Sequence, residues 1–167
     1  LDQGGPERAR RVGVSPDTAC GDAVDAPLGA SLVVRGCRAA LRATYLDQLQ
    51  GIAVTLGVVA FPDEPSARAA APWFPGRGAV APGLRALGFP GSVVERFGDA
   101  SRQTAALVQR GPYLVAATVG YADGRPTLRA DQQQDDLAEL GPQLAEGVLR
   151  PLAAPAAVRC GEPVWVC

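Results

Sequence analysis

The chain has 167 residues, with 16 basic and 17 acidic side chains and a formal net charge of −1. This is the length of one domain, and 47% hydrophobic residues at 20% charge exclude a wholly disordered chain. No stretch approaches the roughly 20 apolar residues of a membrane-spanning helix, and the near-neutral charge argues against a nucleic-acid partner.

The first segment, residues 1–14, is rich in Gly, Pro and Arg and shows no apolar periodicity. This composition predicts a linker, and residues 15–167 are then a single α+β domain. If a membrane anchor precedes the linker, Arg8, Arg10 and Arg11 would lie near the bilayer surface. The alternative is a solvated tether.

Two helix-start signals follow the linker. Ser15-Pro16-Asp17 predicts a short helix that carries Cys20, and Asp25-Ala26-Pro27 predicts a second helix. Gly36 is suited to the left-handed conformation that ends a helix, so we expect the second helix to stop there.

The hydrophobic period then changes from helical to two. Residues 37–45 alternate between apolar and polar side chains, which predicts a strand with one buried face. Residues 52–61 are apolar on both faces, as in a central strand, and the turn at 47–51 joins the two strands into an antiparallel hairpin.

The second half of the chain repeats these signals. A helix is predicted from Pro62 to about Phe74, and a further helix from Arg129, which Pro142 should kink or split. A tight turn at residues 122–125 precedes that last helix. Three more strands are predicted, over Val93–Phe97, Thr104–Gln109 and Tyr113–Tyr121.

Adjacent strands joined by short turns form antiparallel sheets, and amphipathic helices must cover a sheet to bury their apolar stripe. The sequence therefore predicts an α+β domain: an antiparallel sheet of about five strands with the helices packed on one face.

The four cysteines fall into two sequence-local pairs, Cys20 with Cys37 and Cys160 with Cys167. Four cysteines allow three connectivities, and local pairing is favoured because short loops close most readily. Two disulfides imply an oxidising, extracytoplasmic compartment. The competing interpretation, a four-thiolate zinc site, requires closely spaced Cys-x-x-Cys pairs that the sequence lacks.

The residue types that are missing restrict the chemistry. Without His there is no Ser-His-Asp or Cys-His nucleophile and no imidazole metal site, and without Lys there is no Schiff base or P-loop lysine. We therefore expect no enzyme activity, no metal and no cofactor. Since Met is also absent, we expect Leu1 to follow a missing N-terminal part such as a signal or an anchor.

Two groups of residues are candidates for function. The first is a group of acidic residues near the start of the last predicted helix. They could form a glycosidase carboxylate pair or a calcium site. Acids in the first turns of a helix also complement the helix dipole, and this dipole interpretation is favoured. That group comprises Asp131, Asp135, Asp136 and Glu139.

The other group is the segment Trp73, Phe74 and Arg77, where two aromatic residues precede an arginine in a loop. Aromatic residues with Arg are typical of binding hot spots. The alternative is that Trp73 and Phe74 fill the core, which the small number of aromatic residues favours. Trp165 between the last two cysteines carries the same ambiguity.

The strings GCRAALRATYLD, GVVAFPDEPSARAA and GPYLVAATVGYADGR resemble uncharacterised extracytoplasmic domains of actinobacterial membrane-anchored proteins or lipoproteins. The resemblance spans roughly residues 18–150. More distantly, disulfides on a helix-backed sheet are similar to the sensor domain of a mycobacterial receptor kinase. The resemblance implies an exported or membrane-tethered domain with an unknown ligand, and it transfers no functional residues.

These observations predict a non-catalytic extracytoplasmic binding or sensor module, at the cell surface or secreted. Its partner is a small ligand, a cell-wall component or a protein, and it meets the membrane only through a missing N-terminal anchor. The alternative is a small enzyme that uses only carboxylates, such as a glycosidase. Paired carboxylates in one deep cleft would favour the enzyme, and an apolar groove with scattered Arg would favour the binding module.

Overall fold

The computed structural model describes residues 9–76 and 79–154, which form an antiparallel sheet covered by helices. The strands are β1 (Ala9–Val14), β2 (Ala39–Asp47), β3 (Ile52–Ala60), β4 (Arg102–Arg110) and β5 (Tyr113–Tyr121). Their spatial order is β1-β2-β3-β5-β4. The predicted α+β class with five strands is therefore confirmed.

The helices of the described residues occur in two groups, three before β4 and one after β5. Short 3-10 turns lie at Ala71–Trp73, Asp99–Ser101 and Ala130–Gln132. Within residues 9–76 and 79–154, none of the helices has the length and apolar character needed to cross a membrane. The α-helices are α1 (Cys20–Ala23), α2 (Ala26–Val34), α3 (Glu64–Ala70) and α4 (Asp136–Ala153).

The β2–β3 hairpin forms as predicted, from Ala39 opposite Ala60 to Leu46 opposite Ala53. The buried face of β2 is the one that carries Arg42 and Thr44, whereas Leu41 is 49% exposed, so the expectation that the apolar side of the alternation is buried is wrong. The turn is closed by the Asp47 carboxylate, which accepts hydrogen bonds from the backbone N–H of Leu49 at 3.2 Å and of Ile52 at 2.7 Å. Side-chain acceptors of this kind replace backbone partners that a short turn leaves unpaired.

The helices cover both faces of the sheet, so the prediction that they pack on one face is wrong. Ile52, Val54 and Leu56 of β3 pack in one cluster with the leucines of α4. Val59, on the opposite face of the same strand, packs with α1, α2 and α3. Because β3 and β5 are apolar on both faces, a single layer of helices would leave one face exposed to water.

Close approach of α4 to the sheet depends on a glycine. A Cβ atom added to Gly141 would lie 2.9 Å from Cγ2 of Val119. The helix also runs without interruption through Pro142, so the expected split after Gly141 is wrong. Pro142 is exposed, which places the missing N–H group on the solvent side of the helix.

Residues 9–14 belong to the sheet rather than to a linker, and the predicted linker is wrong for this part of the chain. Strand β1 pairs with β2 from Ala9 opposite Asp47 to Val14 opposite Ala43, with an irregularity between Arg11 and Gly13. An edge strand needs only one paired side and little buried surface, so its sequence carries no strong alternation.

The strand predicted over Val93–Phe97 is also wrong, since these residues form turns. Val94 and Phe97 are fully buried in a third cluster with Leu46 and Ala53, on the face opposite α4. The ring of Phe97 occupies the space above Gly120, where an added Cβ would lie 2.7 Å from Cε2 of that ring. The apolar residues of this segment are therefore buried core residues in a turn rather than in a strand.

A disulfide joins Cys20, the first residue of α1, to Cys37, just before β2. This confirms one of the two predicted disulfides. Cys160 and Cys167, like Trp165, lie outside the described residues.

Replacing both Cys20 and Cys37 with Ala should lower the free energy of unfolding by about 3 kcal/mol, because the bond closes a loop with a sequence separation of 17. Urea unfolding of the variant and of the oxidised wild type measures the difference. An unchanged free energy of unfolding would show that this bond does not stabilise the native protein.

Candidate functional site

Trp73 and Phe74 lie where α3 ends. The helix begins at the Asp63 carboxylate, which accepts a hydrogen bond from the backbone N–H of Ser66 at 2.8 Å, and it continues into the 3-10 turn Ala71–Trp73. Ala67 and Ala70 are fully buried, so α3 lies close against the core. This packing fixes the direction in which the two aromatic residues leave the helix.

The two aromatic side chains point to different environments. Phe74 is 7% exposed and belongs to the cluster beneath α1, α2 and α3, whereas Trp73 is 48% exposed. The core interpretation is therefore right for Phe74 and wrong for Trp73. Arg77, the third predicted binding residue, lies outside the described residues.

A residue that the sequence analysis missed contacts Trp73. The guanidinium carbon of Arg35 lies 4.9 Å from the centroid of the Trp73 ring, which is a cation–π distance. Arg35 directly follows α2, and its backbone N–H donates to the carbonyl of Ser31. Gly36, with φ of 82°, then ends the helix as predicted.

The last turn of α2 adds apolar surface next to Arg35. Val33 is 58% exposed and Val34 is 87% exposed, and Pro72 beside Trp73 is also exposed. We call Val33, Val34, Arg35, Pro72 and Trp73 the Trp73 surface. Trp73 and Arg35 are residue types that are enriched in binding hot spots, and exposed apolar residues neighbour each of them along the chain.

The alanine variants of the two neighbouring aromatic residues should differ sharply. Trp73→Ala should cost about 1 kcal/mol of stability, because it removes a half-exposed ring and one cation–π contact. Phe74→Ala should cost about 3 to 5 kcal/mol, because it leaves a cavity in the core. Thermal or urea unfolding of the two variants measures the contrast, and equal losses would contradict the exposed position of Trp73.

A second group of polar residues lies on the sheet face opposite α4, centred on an ion pair between Arg102 and Asp25. Nη1 of Arg102 donates to Oδ2 of Asp25 at 2.8 Å, and Nη2 donates to Oδ1 at 3.3 Å. Arg102 also donates to the carbonyls of Leu84 at 3.3 Å and Asp99 at 3.1 Å. The side chains of Arg102 and Asp25 are only 8% and 21% exposed.

Asp25 is held in its ionised form. Burial raises the pKa of its carboxyl, but the hydrogen bond from Arg102, the bond from the Gly83 N–H and the charges of Arg102 and Arg85 together hold that pKa below its ordinary value. Asp25 is therefore a carboxylate at neutral pH and cannot act there as a proton donor. Its contacts join the start of α2 to Gly83 and to the start of β4.

The predicted acidic group lies at and before the N-terminus of α4, where acids complement the helix dipole. Asp136 and Glu139 are exposed in the first turn of α4, and Asp135 directly precedes the helix. Asp131 lies in the preceding 3-10 turn, where its carboxylate is 3.5 Å from Nε of Arg129. In the part of the chain that the structure describes, no three His, Cys, Asp or Glu side chains are placed to hold a metal ion.

Asp25→Asn should destabilise the protein by about 2 to 3 kcal/mol at pH 7, because it leaves Arg102 buried without its counter-ion, while the remaining exposure of Asp25 moderates the loss. The folded pKa of Asp25 is lowered, so its contribution is present above the unfolded pKa of about 3.9 and is lost as the pH falls through the folded pKa. The stability difference from wild type should therefore shrink below about pH 4.

Urea unfolding at pH 7, 5 and 3 measures this dependence. Asp63→Asn is the control for the size of the loss at pH 7, which should be small, because Asp63 is an exposed helix N-cap and Asn caps a helix equally well. A stability difference for Asp25→Asn that stays constant down to pH 3 would contradict the assignment.

Comparison of the chain with protein-family models, with curated proteins and with solved structures finds no match.

Proposed function

We propose that this chain is a non-catalytic extracytoplasmic binding module of a membrane-anchored protein, and that a component of the cell envelope docks on the Trp73 surface. The observation that carries the proposal is the 48% exposure of Trp73 beneath the guanidinium of Arg35.

An indole ring in water loses the free energy that burial of its large apolar area would provide. The contact with Arg35 favours one orientation of the ring, so a partner binding there has less side-chain entropy to remove. A half-exposed Trp that contacts an Arg is suited to a glycan or protein surface that covers the ring.

The extracytoplasmic part of the proposal is supported by the disulfide between Cys20 and Cys37. Disulfides form and persist in oxidising compartments and are rare in the cytosol. In the membrane-anchored arrangement that we propose, the domain with its Trp73 surface would lie outside the membrane.

The carboxylate-only enzyme has less support. A glycosidase needs one carboxylic acid with a raised pKa to protonate the leaving group. Among the described carboxyls whose pKa is shifted, Asp25, Asp63 and Asp123, every shift is downward, because each accepts hydrogen bonds from nearby donors. Asp47, Asp136 and Glu139 line one cleft, but the Asp47 carboxylate is held by the backbone N–H groups of Leu49 and Ile52 in the β2–β3 turn.

Cosedimentation with an insoluble envelope preparation from an actinobacterium tests the proposal. Wild type should cosediment, and Trp73→Ala or Arg35→Ala should weaken binding at least about tenfold, the effect of one hot-spot residue. Leu49→Ala is the matched control, because Leu49 is 92% exposed on the β2–β3 turn and lies outside the Trp73 surface.

All variants are first confirmed as folded by circular dichroism. Equal cosedimentation of wild type and Trp73→Ala, or no cosedimentation of wild type, would refute docking on the Trp73 surface.

A further inference from the structure

The second buried arginine on the face opposite α4 is Arg42 of β2, which is 9% exposed. Ala40 and Leu46, which share its face through the two-residue period of the strand, are both buried. Ala40 packs with the α1, α2 and α3 cluster, and Leu46 packs with Val94 and Phe97. Arg42 therefore lies between the two apolar clusters of this face.

Arg42 is unpartnered, in contrast to Arg102. Its Nε atom is buried and makes no hydrogen bond within the described residues, and no described carboxylate lies within ion-pair distance of it. Arg102, equally buried, donates to both oxygens of Asp25 and to two carbonyls. A buried charged group without such partners destabilises the folded state.

Several charged groups shift the pKa of Arg42, but none of the described ones forms an ion pair with it. Burial lowers its pKa most, Arg85 lowers it further, and three aspartates raise it. Two of these aspartates are already engaged: Asp17 accepts from the backbone N–H of Ala19, and Asp99 accepts from Nε of Arg85 and from the Ala86 N–H. The aspartates are Asp17, Asp22 and Asp99.

The segment above Arg42 is fixed in place by a closed set of hydrogen bonds. The Thr44 and Thr55 hydroxyls are 2.9 Å apart, Thr44 donates to the Leu87 carbonyl at 2.7 Å, and the Leu87 N–H donates to Thr55 at 3.0 Å. Because the single hydroxyl proton of Thr44 is donated to the Leu87 carbonyl, Thr55 is the donor between the two hydroxyls.

A close packing contact holds the same segment at Arg42 itself. Leu84 fills the space beside Gly57, the β3 partner of Arg42, where an added Cβ would lie 2.4 Å from Cδ1 of Leu84. Residues 84–87 are therefore anchored beside Arg42 at two points, Leu84 and Leu87.

We propose that Arg42, assisted by Arg85, is the binding site for a small carboxylate anion. A guanidinium matches the two oxygens of a carboxylate in a bidentate arrangement, and such charge-assisted bonds are strongest when water is excluded. The three nearby aspartates disfavour a doubly charged phosphate relative to a singly charged carboxylate. The low exposure of Arg42 restricts the ligand, or the ligand group that enters, to a small size.

The site is tested by melting curves in sodium acetate against sodium chloride at equal ionic strength. Acetate should raise the melting temperature of wild type in a saturable way, by about 2 to 4 °C or more, and should not raise that of Arg42→Met. In chloride alone Arg42→Met should melt above wild type, because it removes a buried unpaired charge and keeps the apolar volume.

Arg68→Met is the matched control, because Arg68 is exposed and paired with Glu64 on α3, so its acetate response should equal that of wild type. Lower stability of Arg42→Met in chloride would show that Arg42 has a structural partner and would overturn the proposal. An acetate response retained in Arg42→Met would show an adventitious ion only, and a larger shift in phosphate than in acetate would overturn the carboxylate assignment.

A measurement on wild type alone covers the case in which Arg42→Met does not fold. The Nε–H resonance of Arg42 should shift saturably with acetate in a nitrogen-15 spectrum, at the same concentration that raises the melting temperature. A resonance that does not move would overturn the proposal. This site is separate from the Trp73 surface, so either proposal can fail alone.

Discussion

The buried ion pair between Arg102 and Asp25 determines how the helices and the long connecting segment lie on the sheet. Asp25 immediately precedes α2, and Arg102 begins β4, 77 residues later in the chain. The same Asp25 carboxylate accepts from Gly83, and the same guanidinium donates to Leu84. Loss of either partner would leave a charge buried without its counter-ion, so the arrangement is held as a unit.

Both proposed sites depend on this arrangement. The direction of α2, fixed at Asp25, places Arg35 over the ring of Trp73 at its other end. The position of Leu84, fixed by Arg102, sets the course of residues 84–87 past Arg42. The contrast between the two buried arginines follows: Arg102 stabilises the fold through four hydrogen bonds, whereas Arg42 has no partner among the described residues.

Patterns of apolar and turn-forming residues predicted those helices and strands whose own residues carry the pattern. The period of two predicted β5 at Tyr113–Tyr121 and the β2–β3 hairpin, and the helix predicted from Pro62 contains α3, which begins at Glu64. The pattern failed for β1, because an edge strand buries little, and for Val93–Phe97, because buried turns can be as apolar as strands. Phe74 was correctly interpreted as a core residue, but its neighbour Trp73 was not.

The sequence by itself determined the α+β class and the absence of His and Lys, and it favoured the pairing of Cys20 with Cys37, because these follow from composition and from contacts between residues close along the chain. Only the tertiary structure decided that Arg35 meets Trp73, that Arg102 meets Asp25, and that Arg42 is left without a partner. Sixteen arginines of one chemical type cannot be told apart by local sequence. Their roles are set by burial and by partners distant in sequence, which exist only once the sheet has formed.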